Sequence, residues 1–468
     1  MVFNSFAFLL FFPTVVILYY ALGGGKFSKY CLLVAGYYFY ANIKPVFLLL
    51  LLAITLLSYI GGLFVEKYPK RKKTTLSVSL VLIFSSLFVF KYLGFFNESV
   101  RTLLNIIGIG WDVPYLKLML PIGISFYTFQ ASGYLIDVYR GKIKAERNYL
   151  IYSLFVSFFP VILAGPIQRS YNLIPQLKEK KTISYDNVVG GLRLMLWGFF
   201  MKLCVADRLG IYVDSVFNNV DAHNGTSILL ASLFFTIQIY SDFAGYSLIA
   251  ISCAKILGFQ LPDNFRRPYF SLTFKEFWKR WHIALSSWFG DYLYIPLGGN
   301  RVKFNRYLLN LMIVFLVSGL WHGAAWTFVI WGGIHGIYQV YEAVQRKICG
   351  KIEYIALYKR VFRIIIVFLL ANFAWIFFRA NTTEDAFTAV TKIFVNPGRP
   401  FLSPMAMFFG LTSTLFLFVK DFTDEFYPRL RLLNSENKVL SISSNAVLLI
   451  FIILFGVLDN SQFIYFQF

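Results

Sequence analysis

Twenty-one residues from Pro45 to Val65 pass without a single charge (PVFLLLLLAITLLSYIGGLFV). A helix of about 20 apolar residues spans the hydrocarbon of a bilayer. Comparable runs extend from Phe6 to Leu22, Thr75 to Phe90, Val188 to Val205, Ile228 to Ile251 and Tyr307 to Leu320. Others extend from Trp326 to Val340, Phe362 to Phe378, Met405 to Val419 and Val439 to Val457. Weaker ones surround Leu32 to Tyr40, Leu118 to Leu135 and Tyr149 to Leu163. The pattern predicts an all-α polytopic membrane protein with about ten to thirteen membrane segments, some tilted, short or re-entrant. Strands are excluded as the spanning element, because the runs are continuous rather than alternating.

Composition agrees. The chain is 58% hydrophobic and 14% charged, against about 25% charged in a soluble domain. Its net charge of +21 falls largely in short stretches between apolar runs, such as Lys70 to Lys73. That is the distribution of cytoplasmic loops under the positive-inside rule, and it speaks against nucleic acid as a partner. The N-terminus lacks a basic leader and an A-x-A site, so Phe6 to Leu22 reads as a retained segment. Cys31, Cys204, Cys253 and Cys349 are scattered and imply no disulfide framework. No linker or short-period repeat interrupts the chain, and residues 1–468 read as a single membrane domain.

The stretch from Lys255 to Arg306 differs, with nine Lys or Arg, three acids and many aromatic residues. Thr273 and Glu276 form a capping-box signature ahead of a helix predicted over Phe274 to Phe289. Trp278, Trp281, His282, Leu285, Trp288 and Phe289 recur at three- and four-residue steps and make one aromatic face. Such a helix lies at the interface or enters the protein partway, and a plain surface anchor is the alternative.

Four histidines are candidates for chemistry. His223 stands in a turn-like loop, DAHNG, and reads as solvated. His322 lies within SGLWHGAAW, inside a long apolar stretch where an ionisable group is costly and functional by default. Gly319, Gly323, Ala324 and Ala325 remove bulk around it, which suits a substrate or a neighbouring helix. A histidine merely bonded to another helix is the competing reading. His335 follows thirteen residues later and cannot share a face with His322 unless the helix breaks at the glycines, so it reads as structural or supporting. Asp242, flanked by apolar runs, either pairs with a base or holds a helix in place. No metal-ligand spacing, G-x-S-x-G elbow, HxxxxD, P-loop or G-x-G-x-x-G is present.

Three segments carry a family resemblance: YSDFAGYS (Tyr240 to Ser247), NFRRPYFSLTFKEFWKRWHIALSSWFGDYLYIPLGG (Asn264 to Gly299) and GLWHGAAWTFVIWGG (Gly319 to Gly333). With FFPVILAGPIQR (Phe158 to Arg169), they resemble the membrane-bound O-acyltransferases, in particular the bacterial alginate and peptidoglycan O-acetyltransferase branch. The resemblance implies a ring of membrane helices around a central tunnel, with re-entrant and interfacial helices and a catalytic core over about residues 120–345. It implies that His322 is catalytic and that His282 lines the same site. It implies a cytoplasmic acyl thioester donor, acetyl-CoA or a carrier-protein thioester, and no permanently bound cofactor. A polysaccharide acceptor, a separate extracytoplasmic SGNH-type acetyltransferase partner and the bacterial inner membrane also follow from it.

On this reading His322 acts as general base. His282 with Trp278, Trp281 and Trp321 orients the donor or steadies an oxyanion. Arg266, Arg267, Lys279, Arg280 and Arg301 are candidate phosphate contacts, with plain loop charge as the alternative for each. A D-alanyl or lipid O-acyltransferase, a transporter or flippase, and a structural subunit docking a soluble enzyme are the rival readings.

Overall fold

The computed structural model describes residues 1–110, 118–163, 165–350, 356–402, 404–427, 433, 435, 437–457, 463 and 464. Among these the secondary structure is helical and no strand occurs. Seven helices among the described residues are long and apolar enough to cross a membrane: Val46–Lys67, Pro69–Ile106, Tyr185–Phe217, Gly225–Ile256, Phe304–His322, Leu357–Arg379 and Lys438–Phe455. At 1.5 Å per residue the 22-residue helix Val46–Lys67 is about 33 Å long, enough for the hydrocarbon. Several further segments form helices that are shorter. Phe6–Ala21 and Lys26–Ala41 have 16 residues each, or about 24 Å. Large apolar side chains such as Leu49 and Ile453 are two-thirds exposed on the protein surface, which acyl chains cover and water would not.

The described residues form two compact units. The first comprises Met1–Asn187, Cys253–Leu261 and Gly323–Ala325. Within it Gly61 and Gly62 let the helix Val46–Lys67 approach its neighbours: a methyl on Gly61 would meet Ser79 Oγ at 2.5 Å, and one on Gly62 the Tyr134 ring at 2.6 Å.

The second unit comprises Val188–Ser252, Pro262–His322 and Trp326–Phe468, and holds all four histidines. Gly225–Ile256 is its most enclosed helix, with 78% of its most apolar stretch buried. Gly198 and Gly245 face one another, each leaving only 2.8 Å between a would-be Cβ and the other's carbonyl oxygen. The close approach brings Lys202, in a π-helical turn over Phe200–Ala206, to 2.7 Å from Asp242 and 2.8 Å from Asp207. Asp242 therefore fulfils both sequence readings. It pairs with a base, and its Oδ2 accepts the Ile464 N–H at 2.7 Å. Lys202 escaped the sequence reading, although a lysine inside the run WGFFMKLCVA is a signal of its own.

Phe304–His322 and Trp326–Cys349 pack along each other. Their contact rests on glycine: a Cβ on Gly319 would overlap the Phe328 carbonyl oxygen, and one on Gly332 the Phe315 carbonyl oxygen. Neither backbone oxygen can move aside cheaply, so Gly319→Val should cost about 1–3 kcal/mol. We expect it to lower membrane abundance and the apparent Tm in detergent. Gly333→Ala, whose nearest neighbour is Leu316 at 3.8 Å, should leave both unchanged. Equal behaviour of the two variants would contradict this packing.

Candidate active site

The aromatic periodicity from Phe274 to Phe289 predicts one helix, and the structure breaks it in two. Phe274–Arg280 ends at an extended Trp281, and Ile283–Phe289 begins after His282. His282 has φ 43° and ψ 53°, the left-handed region, which costs a non-glycine residue about 1–2 kcal/mol. Local hydrogen bonds offset that cost. The Arg266 N–H donates to the Arg280 carbonyl and the Ile283 N–H to the Asn264 carbonyl, each at 2.9 Å. The Ala284 N–H donates to Asn264 Oδ1 at 3.2 Å. A buried bond contributes about 1 kcal/mol, so three suffice. The N-terminus of Phe274–Arg280 is capped by Thr273, which accepts the Glu276 N–H at 3.1 Å. Glu276 reaches back to the Leu272 N–H at 2.9 Å, one residue ahead of the capping-box position.

The break turns His282 inward. Its side chain is fully buried, with Phe243 at 4.6 Å, Trp321 at 5.9 Å and His322 at 6.4 Å between ring centroids. The rest of the predicted aromatic face, Trp278, Trp281, Leu285, Trp288 and Phe289, is buried as well, so this face meets protein.

Asn264 fixes the protonation pattern. A backbone N–H only donates, so the Asn264 atom facing Ala284 is its carbonyl oxygen Oδ1. The same Oδ1 lies 3.1 Å from His282 Nδ1, which must then carry the proton. Neutral His282 keeps its lone pair on Nε2. Asn264 Nδ2 donates in turn to Ser247 Oγ at 3.0 Å.

His322 closes the helix Phe304–His322 and is 3% exposed. Trp321 and Trp331 each lie 5.0 Å from its ring, and Phe378 lies at 5.6 Å. The two imidazoles therefore face each other inside one aromatic enclosure. His335 is excluded from the face of His322 on a continuous helix, but helix stops at His322 and resumes at Trp326. Across that break His335 packs 5.0 Å from Trp331, on the wall that His322 also uses.

The other sequence candidates separate. Trp321 lies beside both imidazoles, 5.9 Å from His282 and 5.0 Å from His322. Trp281 lies against Phe277 at 5.5 Å and Trp375 at 5.0 Å, and Trp278 lies 5.0 Å from His335. Arg267 and Arg280 share Glu425, each at 2.7 Å, and Arg280 also holds Glu276 at 2.6 Å. Burial alone would raise the Glu425 carboxyl, but hydrogen bonds from both guanidiniums outweigh it and hold the group below its ordinary range. Arg266 pairs with Asp263 at the surface, while Lys279 and Arg301 are exposed. His223 is half-buried against Phe401 at 5.3 Å rather than solvated. Asn264, Trp331 and Phe378 escaped the sequence reading. Among the described residues no group of three or more His, Cys, Asp or Glu is placed to hold a metal.

Two comparisons bear on what this enclosure does. The family model described as "MBOAT, membrane-bound O-acyltransferase family" matches residues 143–384. A probable alginate O-acetylase of Azotobacter vinelandii is 38% identical over 400 residues, covering 84% of this chain and 78% of the relative. The chain belongs to the membrane-bound O-acyltransferase family. A peptidoglycan O-acetyltransferase of Helicobacter pylori is 35% identical over 394 residues, 77% of this chain and 72% of the relative. A teichoic acid D-alanyltransferase of Streptococcus thermophilus is 31% identical over 46% of this chain and 55% of the relative. The chain is an O-acyltransferase, and its helices make it a multi-pass membrane protein.

Asn264 Oδ1 holds the His282 ring through Nδ1. Asn264→Ala should lower acyl transfer at least about tenfold, as losing an orienting partner of a functional histidine does elsewhere. Membrane abundance is measured alongside. Unchanged transfer at wild-type abundance would show that Asn264 does not set the His282 ring.

Proposed function

We propose that this O-acyltransferase moves an acetyl group from a cytoplasmic thioester, acetyl-CoA, across the bacterial inner membrane for O-acetylation of a cell-surface or secreted polysaccharide. The carrying observation is the pair of buried imidazoles, His282 and His322, 6.4 Å apart in one aromatic enclosure. The relatives named for alginate and peptidoglycan O-acetylation support the choice of acetyl group and of polymer.

In the proposed step His322 accepts the proton of a hydroxyl as its oxygen attacks the thioester carbonyl. An imidazole, which can both take up and release a proton, suits the role of general base. The C–O bond forms, the C–S bond breaks, and the thiolate leaves and takes up a proton. His282, with its Nδ1 proton held by Asn264, orients the reacting groups through Nε2. Trp321, which flanks both rings, limits the space open to the acyl group. The acetylated product passes to a separate extracytoplasmic SGNH-type acetyltransferase that modifies the polymer.

His322→Ala tests the role of the base. Positioned general bases contribute about 10²–10⁴-fold, so polymer acetylation should fall by that factor at unchanged membrane abundance. Acetylation at the wild-type level would remove His322 from the chemistry. Directional transport without consumption of thioester would replace the reaction altogether.

A further inference from the structure

Among the described residues two non-glycine residues have positive φ, Arg267 at 46° and His282 at 43°. They stand near the two ends of one segment, residues 264–283, and those ends close on each other. The Arg266 N–H donates to the Arg280 carbonyl and the Ile283 N–H to the Asn264 carbonyl, each at 2.9 Å. The carboxylate of Glu425 crosses this neck. Its Oε2 accepts from Arg267 Nε and its Oε1 from Arg280 Nη1, each at 2.7 Å. Glu425 is 15% exposed, so both pairs are partly shielded from water.

Glu425 lies in the last turn of Pro404–Phe426, where the helix dipole disfavours a carboxylate by about 0.3–1 kcal/mol. Its own helix gives no reason for an acid at this place, and the two guanidiniums do. Asp421, four residues earlier, lies on the same face of that helix. Its Oδ2 accepts the Tyr240 hydroxyl at 2.8 Å. The Tyr240 ring packs 6.1 Å from Phe265 and 6.3 Å from Trp281, the neighbours in sequence of Asn264 and His282. Beside these contacts opens a cavity of about 280 Å³, whose lining includes Tyr240, Ser247, Asn264, Arg267 and Asp421. On that side the neck is held by polar bonds rather than by close packing.

The geometry points to Glu425 as a positioning residue for acyl transfer, a brace that sets the His282 ring through the neck and Asn264. The inference rests on the role proposed above for His282. One carboxylate takes both guanidiniums, so it fixes the separation of the two ends of the segment. That separation keeps Asn264 Oδ1 within 3.1 Å of His282 Nδ1. Charge-assisted bonds are short and about twice as strong as neutral ones, which suits a contact that must hold two left-handed residues in place. Arg267 and Arg280 thus serve the frame of the site.

Steady-state kinetics of the full chain in nanodiscs test the assignment, with acetyl-CoA or an acetylated carrier protein, whichever the wild type consumes. Hydrogen exchange of the Ile283 and Ala284 amides is measured by mass spectrometry alongside. Glu425→Gln keeps the shape and removes the charge. Per folded enzyme it should lower kcat at least about threefold, leave KM within about twofold and speed exchange of both amides at least about threefold. In the Asn264→Ala background it should cost no further kcat, because the brace acts through that residue. Asp424→Asn, whose carboxylate pairs with Lys420 at 2.7 Å on the same helix, should leave kcat, KM and exchange within about twofold. Should Glu425→Gln fail to fold, Glu425→Asp, charged but one methylene shorter, takes its place with the same expectations. Unchanged kcat and exchange, or full additivity with Asn264→Ala, overturns the brace while a loss of kcat in His282→Ala leaves the role of His282 standing. A wild-type kcat in His282→Ala overturns that role, and the positioning role with it.

Discussion

One carboxamide oxygen organises the site. Asn264 Oδ1 takes a proton from the Ala284 backbone and one from the His282 ring. The first bond ties the start of Ile283–Phe289 to the preceding loop, and the second aims the imidazole. This acceptor joins the Arg266–Arg280 and Ile283–Asn264 backbone bonds in holding the left-handed turn at His282. The tautomer and direction of the His282 ring are therefore set by a partner outside it, a common arrangement for a histidine.

The surrounding energetics follow from lipid as the solvent. Apolar surface facing acyl chains gives helices no reason to associate, so close contact depends on small residues and buried polar pairs. Both occur here, in the Gly198–Gly245 and Gly319–Gly332 approaches and in Lys202 held between Asp207 and Asp242. A buried ion group of this kind is weak evidence for net stability, but removing one partner typically costs about 3–5 kcal/mol. It fixes which faces meet and, through Asp242 and Ile464, where the chain near its C-terminal end lies. Phe463 then stacks on Tyr246 at 4.5 Å and stands 5.5 Å from Phe243, the ring beside His282.

Much of this was legible in the sequence. Uninterrupted apolar runs such as Pro45 to Val65 prescribe spanning helices, because only intrahelical bonds satisfy the backbone in lipid. An isolated histidine in such a run, His322, signals function for the same energetic reason. Periodicity misled at Trp281 and His282, since a step of three or four residues cannot register a reversal imposed by Asn264 from eighteen residues upstream. It set His335 apart from His322 only for an unbroken helix, and the helix does break between them. Charge counting fixed the sign of the basic stretch but not its pairing. Arg267 and Arg280 are held by Glu425, a partner some 150 residues away in sequence.

The proposed function requires acyl carbon and imidazole to meet inside this enclosure. Cryo-electron microscopy of the full chain with a non-hydrolysable thioether analogue of the acetyl donor examines it directly. The acetyl carbonyl should lie within about 3 Å of the His322 ring, with His282 lining the same cavity. A His322 ring turned to hydrocarbon, or an analogue bound without approaching either imidazole, would contradict it.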